Sequence, residues 1–229
     1  VMIIRLSNLS TRPPVLDDLS SVTALVARCD LPLTGLAEVV EEDINRRWFA
    51  PGFQLATDAW TIITHTNDII SYADIHSKLD GQTLEFEIFL RVHPAYRHRG
   101  IETLLIWLIE ERARQILEEF SDRLRVVLSI ALPVQDQSII DLFEHQGYLL
   151  THTFWRLLFE HNAQQQERFS SSNRQMVDLV IETTNLQGDS VVRRQTGIYS
   201  ARQYGLYEKI IREPVAQMKK HFECEELLA

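Results

Sequence analysis

The stretch Val92-His93-Pro94-Ala95-Tyr96-Arg97-His98-Arg99-Gly100-Ile101-Glu102-Thr103 combines features that suit an anionic ligand. A strand pattern ends at a proline, a short basic loop follows, and a glycine opens a long apolar-periodic segment. Free backbone N–H groups point out of a helix N-terminus, where the macrodipole favours negative charge. Gly100 would let a ligand approach the backbone closely, and Arg97 and Arg99 would add charge-assisted donors. Such an arrangement is a diphosphate cradle. The plain alternative is a solvated basic loop that happens to precede a glycine. Seven residues upstream of Val92 and five upstream of it, Glu85 and Glu87 are two apart in a strand pattern and so share one face.

The surrounding periodicity supplies the elements that would position these groups. Residues 3–12 predict a strand, Asp17 to Arg28 a helix, and Leu36 to Trp48 a second helix ended by Pro51-Gly52. Trp60 to Thr64 and Ile69 to Ile75, joined at Asn67-Asp68, predict a hairpin. Asp80-Gly81 turns the chain into Leu84–Val92, where apolar and polar residues largely alternate. Gly100 to Phe120 predicts a long amphipathic helix and Val126 to Ala131 a strand buried on both faces. Asp136 is placed to cap a helix over 137–146, Gly147 to end it, and Tyr148 to Phe159 is strand-rich. This order implies an α/β fold with a mixed central sheet, in which the crossover through 100–120 joins parallel neighbours.

The chain has 229 residues, a length between one domain and two. At 45% hydrophobic and 24% charged it is an ordinary globular sequence, which excludes a collagenous, wholly disordered or disulfide-scaffold protein. The net charge of -9 lies entirely in residues 1–161, and the remainder is balanced. That acidity argues against nucleic-acid binding, which needs a basic face, and modestly favours cationic partners such as amines. No apolar run approaches the roughly 20 residues of a membrane span. Val1–Arg5 is too short and too soon interrupted for a signal peptide. Cys29 and Cys224 form no C-x-x-C pair, and the histidines show no metal-ligand spacing, so two free thiols in a cytoplasmic protein and no metal are expected.

The cradle residues also resemble those of the GNAT superfamily of acyl-CoA N-acyltransferases. Its signature, V-x-P-x-x-R/Q-x-x-G-x-G/A, is matched in register by Val92, Pro94, Arg97 and Gly100. A second block of that family, N-x-x-x-x-x-L-Y-x-x-x-G-F, is similar to Asp136, Leu142, Phe143, Gly147 and Tyr148. The resemblance spans residues 3–160 by element order and implies a mixed, mostly antiparallel sheet flanked by helices, with a C-terminal α+β extension. It implies acetyl-CoA as acyl donor, with the backbone of Leu90, Arg91 and Val92 along the pantetheine arm. The amides of His98 to Thr103, with Arg97 and Arg99, would take the pyrophosphate. Acyl transfer to a small-molecule or N-terminal amine would follow, with Glu87 as preferred base and Glu85 as the alternative. Trp48, Phe49 and Trp60 would line an acceptor pocket or simply fill the core.

The sequence departs from that family at three places. Glu102 stands where Gly or Ala is usual, and its carboxylate would repel a phosphate or turn to solvent. Phe143 replaces the tyrosine that often serves as general acid, leaving protonation of the thiolate to water. Asp136 replaces an asparagine. These departures motivate an alternative, a catalytically degenerate fold used as a CoA-sensing or interaction module.

Beyond a 1–161 domain, residues 162–175 have a linker composition. Residues 176–229 form a C-terminal extension, of which 176–212 resemble the closing part of a second such core. Strands are expected at Met176–Ile181, Val191–Arg194 and Gly205–Ile211, a turn around Asn185–Asp189, and a helix over Val215–Leu228. The extension would complete the first domain's sheet or mediate a homodimer, because a lone strand pair is barely stable.

Overall fold

The computed structural model describes residues 8–34, 39–118, 120, 123–160, 174–179 and 198–214. Eight strands, β1 (Leu9–Arg12), β2 (Ala59–Thr64), β3 (Ile69–Asp80), β4 (Thr83–Val92), β5 (Arg125–Pro133), β6 (Leu149–Glu160), β7 (Arg174–Leu179) and β8 (Ile198–Arg212), lie among them. Five helices, α1 (Leu19–Thr34), α2 (Glu41–Trp48), α3 (Leu55–Asp58), α4 (Ile101–Leu117) and α5 (Gln137–His145), complete the described structure. Two compact units result. One runs to Ile130 and takes up the chain again at Glu208, and the other spans Ala131–Tyr207.

The first unit orders its strands β1-β2-β3-β4-β5, with the end of β8 beside β5. Neighbours are antiparallel from β1 to β4. The β4–β5 pair is parallel and joined through α4, as the strand–helix–strand pattern requires. Alternation along β4 creates two different faces. Leu84, Phe86, Ile88, Leu90 and Val92 are buried, while Glu85, Glu87, Phe89 and Arg91 project oppositely. The helix α4 packs on β3 and β4, with Ile101, Leu105, Ile109 and Ala113 buried at helical spacing. A second cluster joins Val22, Leu25, Val26 and Cys29 of α1 to Ile44 and Trp48 of α2, with Tyr72 and Phe89 from the strands. Asp58 is buried yet satisfied: it accepts from Gln54 N at 2.7 Å and from Arg112 Nε at 2.8 Å, which fastens α3 to α4.

In the second unit β6 pairs antiparallel with β7, and β8 lies on the other side of β6. Phe154 and Tyr204 stack at 5.7 Å between centroids, and the Arg156 guanidinium lies 4.6 Å from the Tyr204 ring centre, tying β6 to β8. Gly147, at φ 86°, ends α5 where the sequence placed the stop, and Tyr148 N donates back to Phe143 O at 3.0 Å.

The structure revises several element boundaries. The first helix starts at Leu19 and continues to Thr34, past Arg28, and carries Pro32 in its last turn, where the missing N–H leaves one intrahelical bond unmade. Of the second expected helix, 36–38 lie outside the described residues, 39–40 are not helical and α2 begins at Glu41; α4 stops at Leu117 rather than Phe120. Asp136 stands at the N-cap of α5, but its side chain makes no capping bond; its carbonyl receives Ile139 N and Ile140 N. The expected strand at Met176–Ile181 is β7, and Gly205–Ile211 belongs to the longer β8. The polar stretch up to 173, the turn and strand within 185–194, the helix over 215–228 and residues 3–7 of the first expected strand lie outside the described residues.

Phe86 sits fully buried at the centre of the α4-facing side of β4. Phe86→Ala should cost about 3–5 kcal/mol in urea unfolding, whereas Leu79→Ala, at a position 56% exposed, should change the midpoint little.

Candidate active site

The end of β4 leads into the loop read from the sequence as a cradle. After Val92 the chain makes a short 3-10 turn, Pro94–Tyr96, and passes through His98 (φ 62°) and Gly100 (φ 84°) into α4. Gly100 is the N-cap, and its left-handed conformation is one that side chains with a Cβ adopt at a cost. Gly100 O accepts Leu104 N at 3.0 Å. The amides of the first helical turn, Ile101 to Thr103, precede the first residue that can donate within the helix and point out of its N-terminus.

The loop is braced by its own side chains. His93 N donates to Ile70 O at 2.8 Å, extending the β3–β4 ladder, and Ala95 N donates to His93 Nδ1 at 3.1 Å. Arg97 Nε donates to Val92 O at 3.4 Å. Arg99 Nη2 donates to Ala95 O at 2.9 Å, and its guanidinium lies 4.9 Å from the centre of the Tyr96 ring. A guanidinium has five N–H groups, so this brace leaves Arg99 able to meet an anion as well. Arg28 of α1 approaches His93 Nε2 at 3.3 Å. Burial and this neighbouring cation both push the His93 imidazole below its ordinary pKa. Glu102 does not turn to solvent: it is 7% exposed, in the first turn of α4, where the dipole favours a carboxylate.

The β4–β5 ladder runs from Thr83↔Arg125 to Ile88↔Ile130, and β4 continues four residues further, from Phe89 to Val92. Leu90 and Val92 bury their side chains. Arg91 donates to Asp30 of α1 at 3.1 Å and to Leu90 O at 3.0 Å. Cys29 Sγ donates to Val92 O at 3.3 Å.

The opposite face of β4 carries the acidic pair. Glu85 accepts from Ser129 Oγ of β5 at 2.7 Å. The side chain of Glu87 is 59% exposed, and its Oε1 accepts from Arg47 Nη1 of α2 at 2.8 Å. The same guanidinium grips Asp74 of β3 through Nε (3.2 Å) and Nη2 (2.6 Å). Asp74 is fully buried and also receives the Tyr72 hydroxyl at 2.6 Å, which in turn receives Trp48 Nε1 at 2.7 Å. Burial works against the charge of Arg47, but Asp74 and Glu87 more than offset it and hold its proton above the ordinary range. Burial and the Asp74 charge push the Tyr72 hydroxyl well up.

His76 faces Glu87 directly across the β3–β4 pair. Its ring stacks on Phe53 at 4.3 Å with an interplanar angle of 6°. Its Nε2 is buried without a hydrogen-bond partner, 3.6 Å from Asp74 Oδ1. Burial pushes the imidazole below its usual pKa, against the pull of Asp74, and Arg47 adds to the lowering. Among the described residues no group of three His, Cys, Asp or Glu could hold a metal ion, and no helix is long and apolar enough to cross a membrane.

The structure thus brings Arg47, Tyr72, Asp74 and His76 beside Glu87, a grouping not predicted from the sequence. Trp48, Phe49 and Trp60 do not come together as a pocket. Trp48 is in the core, Phe49 is 66% exposed, and Trp60 pairs with Ala73 and so shares the sheet face away from Tyr72. Phe143 belongs to the second unit, where it is fully buried with its ring edge-on to Tyr148 at 4.9 Å.

The lowered His76 pKa sets a pH dependence. The unfolded chain binds this proton more readily than the folded one, so stability is full above about pH 6.5 and falls as pH drops through the folded-state value. Urea midpoints measured between pH 8 and 5 should decline, and His76→Gln should flatten part of that decline; an unchanged slope would contradict a buried neutral imidazole.

Comparison with known proteins bears on the cradle and the fold together. A search among proteins of curated function finds no match. In solved structures the fold recurs. A GCN5-related N-acetyltransferase from Sphaerobacter thermophilus aligns with a TM-score of 0.70 at 15% identity, over 91% of this chain and 97% of that one. An acetyltransferase candidate from Salmonella typhimurium, yncA, solved with its cofactor acetyl-CoA, aligns at 0.54 and 14% identity, over 91% and 96%. The ribosomal-protein-S18-alanine N-acetyltransferase of Escherichia coli aligns at 0.50 and 12% identity, over 89% and 94%. At these identities the likeness is one of fold. The sequence profile of the acetyltransferase (GNAT) family matches residues 29–148, just over half of the chain, from the end of α1 through the cradle to the close of α5, and the chain belongs to that family.

Proposed function

We propose that the chain transfers an acyl group, acetyl in the first instance, from acyl-CoA to an amine by direct attack. The observation that carries this reading is the end of β4. The strand outruns its ladder with β5 by four residues and then delivers a left-handed Gly100 into the N-terminus of a 17-residue helix. The amides of His98 to Thr103, with Arg97 and Arg99, suit a pyrophosphate by dipole and by charge. The backbone of Leu90 to Val92 is the edge along which an extended pantetheine arm would pair. Acetyl-CoA supplies the activated thioester.

The chain's own groups then have distinct tasks. Glu87, exposed beside the β4 terminus, takes the proton of the attacking amine, and Glu85 next along the same face is the alternative. Backbone N–H groups near the cradle polarise the thioester carbonyl. Phe143 has no proton to give, so water protonates the departing thiolate. The E. coli neighbour acetylates an alanine of ribosomal protein S18. A small amine and an N-terminal amine are the two acceptor classes to test. The buried Glu102 beside the cradle favours a second reading, a fold that binds CoA without turnover.

Purified protein incubated with acetyl-CoA and a panel of polyamines, amino acids and N-terminal peptides should release free thiol. Glu87→Gln should lower kcat by about two to four orders of magnitude. Acetyl-CoA should raise the melting temperature, and Gly100→Val should weaken that shift, because a β-branched residue is strained at this φ by about 1–2 kcal/mol. Stabilisation by acetyl-CoA without thiol release would favour the second reading, and Glu102→Gly with Phe143→Tyr should then switch turnover on. No stabilisation would sink both.

A further inference from the structure

Glu87 is the exposed member of a chain of bonds whose other end is buried. Its side chain is 59% exposed, which by itself leaves a glutamate free to sample several rotamers. Yet Oε1 is held at 2.8 Å by Arg47, and Arg47 is not itself mobile. Two of its nitrogens bond both oxygens of Asp74, and the Asp74 side chain is 0% exposed. Asp74 is fixed in turn by the Tyr72 hydroxyl, and that hydroxyl by the Trp48 indole N–H. The Phe89 ring lies under the Arg47 guanidinium at 5.1 Å and stops it from folding towards the sheet. A fork of fixed shape therefore reaches from a buried carboxylate to one oxygen of the exposed one.

We propose that Arg47, anchored on Asp74, is the positioning residue for Glu87: it holds Oε1 and so presents Oε2 to the acceptor amine. The proposal rests on the reading of Glu87 as the base. Arg47 does not touch the reacting atoms and moves no proton. It keeps the accepting lone pair in one place, where a shift of about an ångström costs about a hundredfold in rate. A lysine would keep the charge but not the fork, since it cannot bond both Asp74 oxygens and Glu87 in one geometry.

Two measurements separate this role from the base reading. Side-chain 13C relaxation of labelled glutamates needs no substrate. Glu87 should be ordered relative to exposed Glu144 in the wild type, and as mobile as Glu144 in Arg47→Gln/Asp74→Asn, a pair chosen because it leaves no unpartnered buried charge. In the thiol-release assay with acetyl-CoA and the amine turned over fastest, the same double variant should lose about ten- to a hundredfold in kcat with KM changed less than about twofold. Arg47→Lys should lose about tenfold, and Arg46→Gln, whose parent residue pairs only within α2, should match the wild type. Circular dichroism and melting temperature establish that the variants fold. A mobile Glu87 in the wild type, or full kcat in the folded double variant while Glu87→Gln is inactive, overturns the positioning role and leaves the base reading intact. Full kcat in Glu87→Gln, or no turnover of any amine, overturns both.

Discussion

A carboxylate with no exposure to water organises the face of the sheet that carries Glu87. Removing an ion from solvent costs several kcal/mol unless its lone pairs are met in good geometry. Asp74 meets that demand with two bonds from Arg47 and one from Tyr72. Each partner brings a constraint of its own. Arg47 must sit at the last turn of α2, so the helix has one place to dock. Tyr72 must keep its hydroxyl inward, and Trp48, the last residue of that helix, closes the relay by donating to it. The apolar cluster of Val22, Leu25, Val26 and Ile44 supplies the area that drives α1 and α2 onto the sheet. The polar relay decides the register in which they land, as buried polar groups do when every member is satisfied.

Strand β4 presents two different faces because its side chains alternate. The residues facing α4 fix where that helix lies, and hence where Gly100 and the first-turn amides point. The residues facing away carry Glu85 and Glu87. A one-residue slip would exchange the two sets, sending glutamates into the core and Phe86 into solvent. The ten-residue ladder with β3, from Ser71↔Val92 to Asp80↔Thr83, guards against it, and the parallel ladder with β5 ends four residues before the β4 terminus. The position of the α4 N-terminus and that of the acidic pair are thus set by a single register.

Much of this was legible in the sequence, for physical reasons that differ by element. The turn into α4 could be read because proline and glycine at those spacings constrain the backbone locally, and β4 and α4 because near-alternation and helical spacing follow from one buried face. The parallel β4–β5 pair followed from the crossover. The Arg47–Asp74–Glu87 network could not be read, because its members are far apart in sequence and meet only after α2 has docked. One signal was present: Tyr72, Asp74 and His76 are polar residues at alternate positions of a strand otherwise buried, which marks a polar site on an inner face. The extent of α1 was missed because sequence rules treat a proline as a stop, whereas here Pro32 is carried in the last turn with the loss of one intrahelical bond.

The net charge of -9 reads differently once the partners are known. Four buried carboxylates in the first unit are matched by cations: Asp30 by Arg91, Asp58 by Arg112, Asp74 by Arg47, and Glu110 by Arg114 and Lys209, while buried Glu102 sits in the first turn of α4. Charge on exposed positions is screened by salt within about 10 Å. Beside Glu87 the acidity is further offset, since one guanidinium serves both that carboxylate and Asp74. If Glu87 is the base proposed above, an amine approaching this face would meet a carboxylate already shared with a cation. Its recognition would then rest on shape and hydrogen bonding more than on the overall acidity from which an amine partner was first inferred.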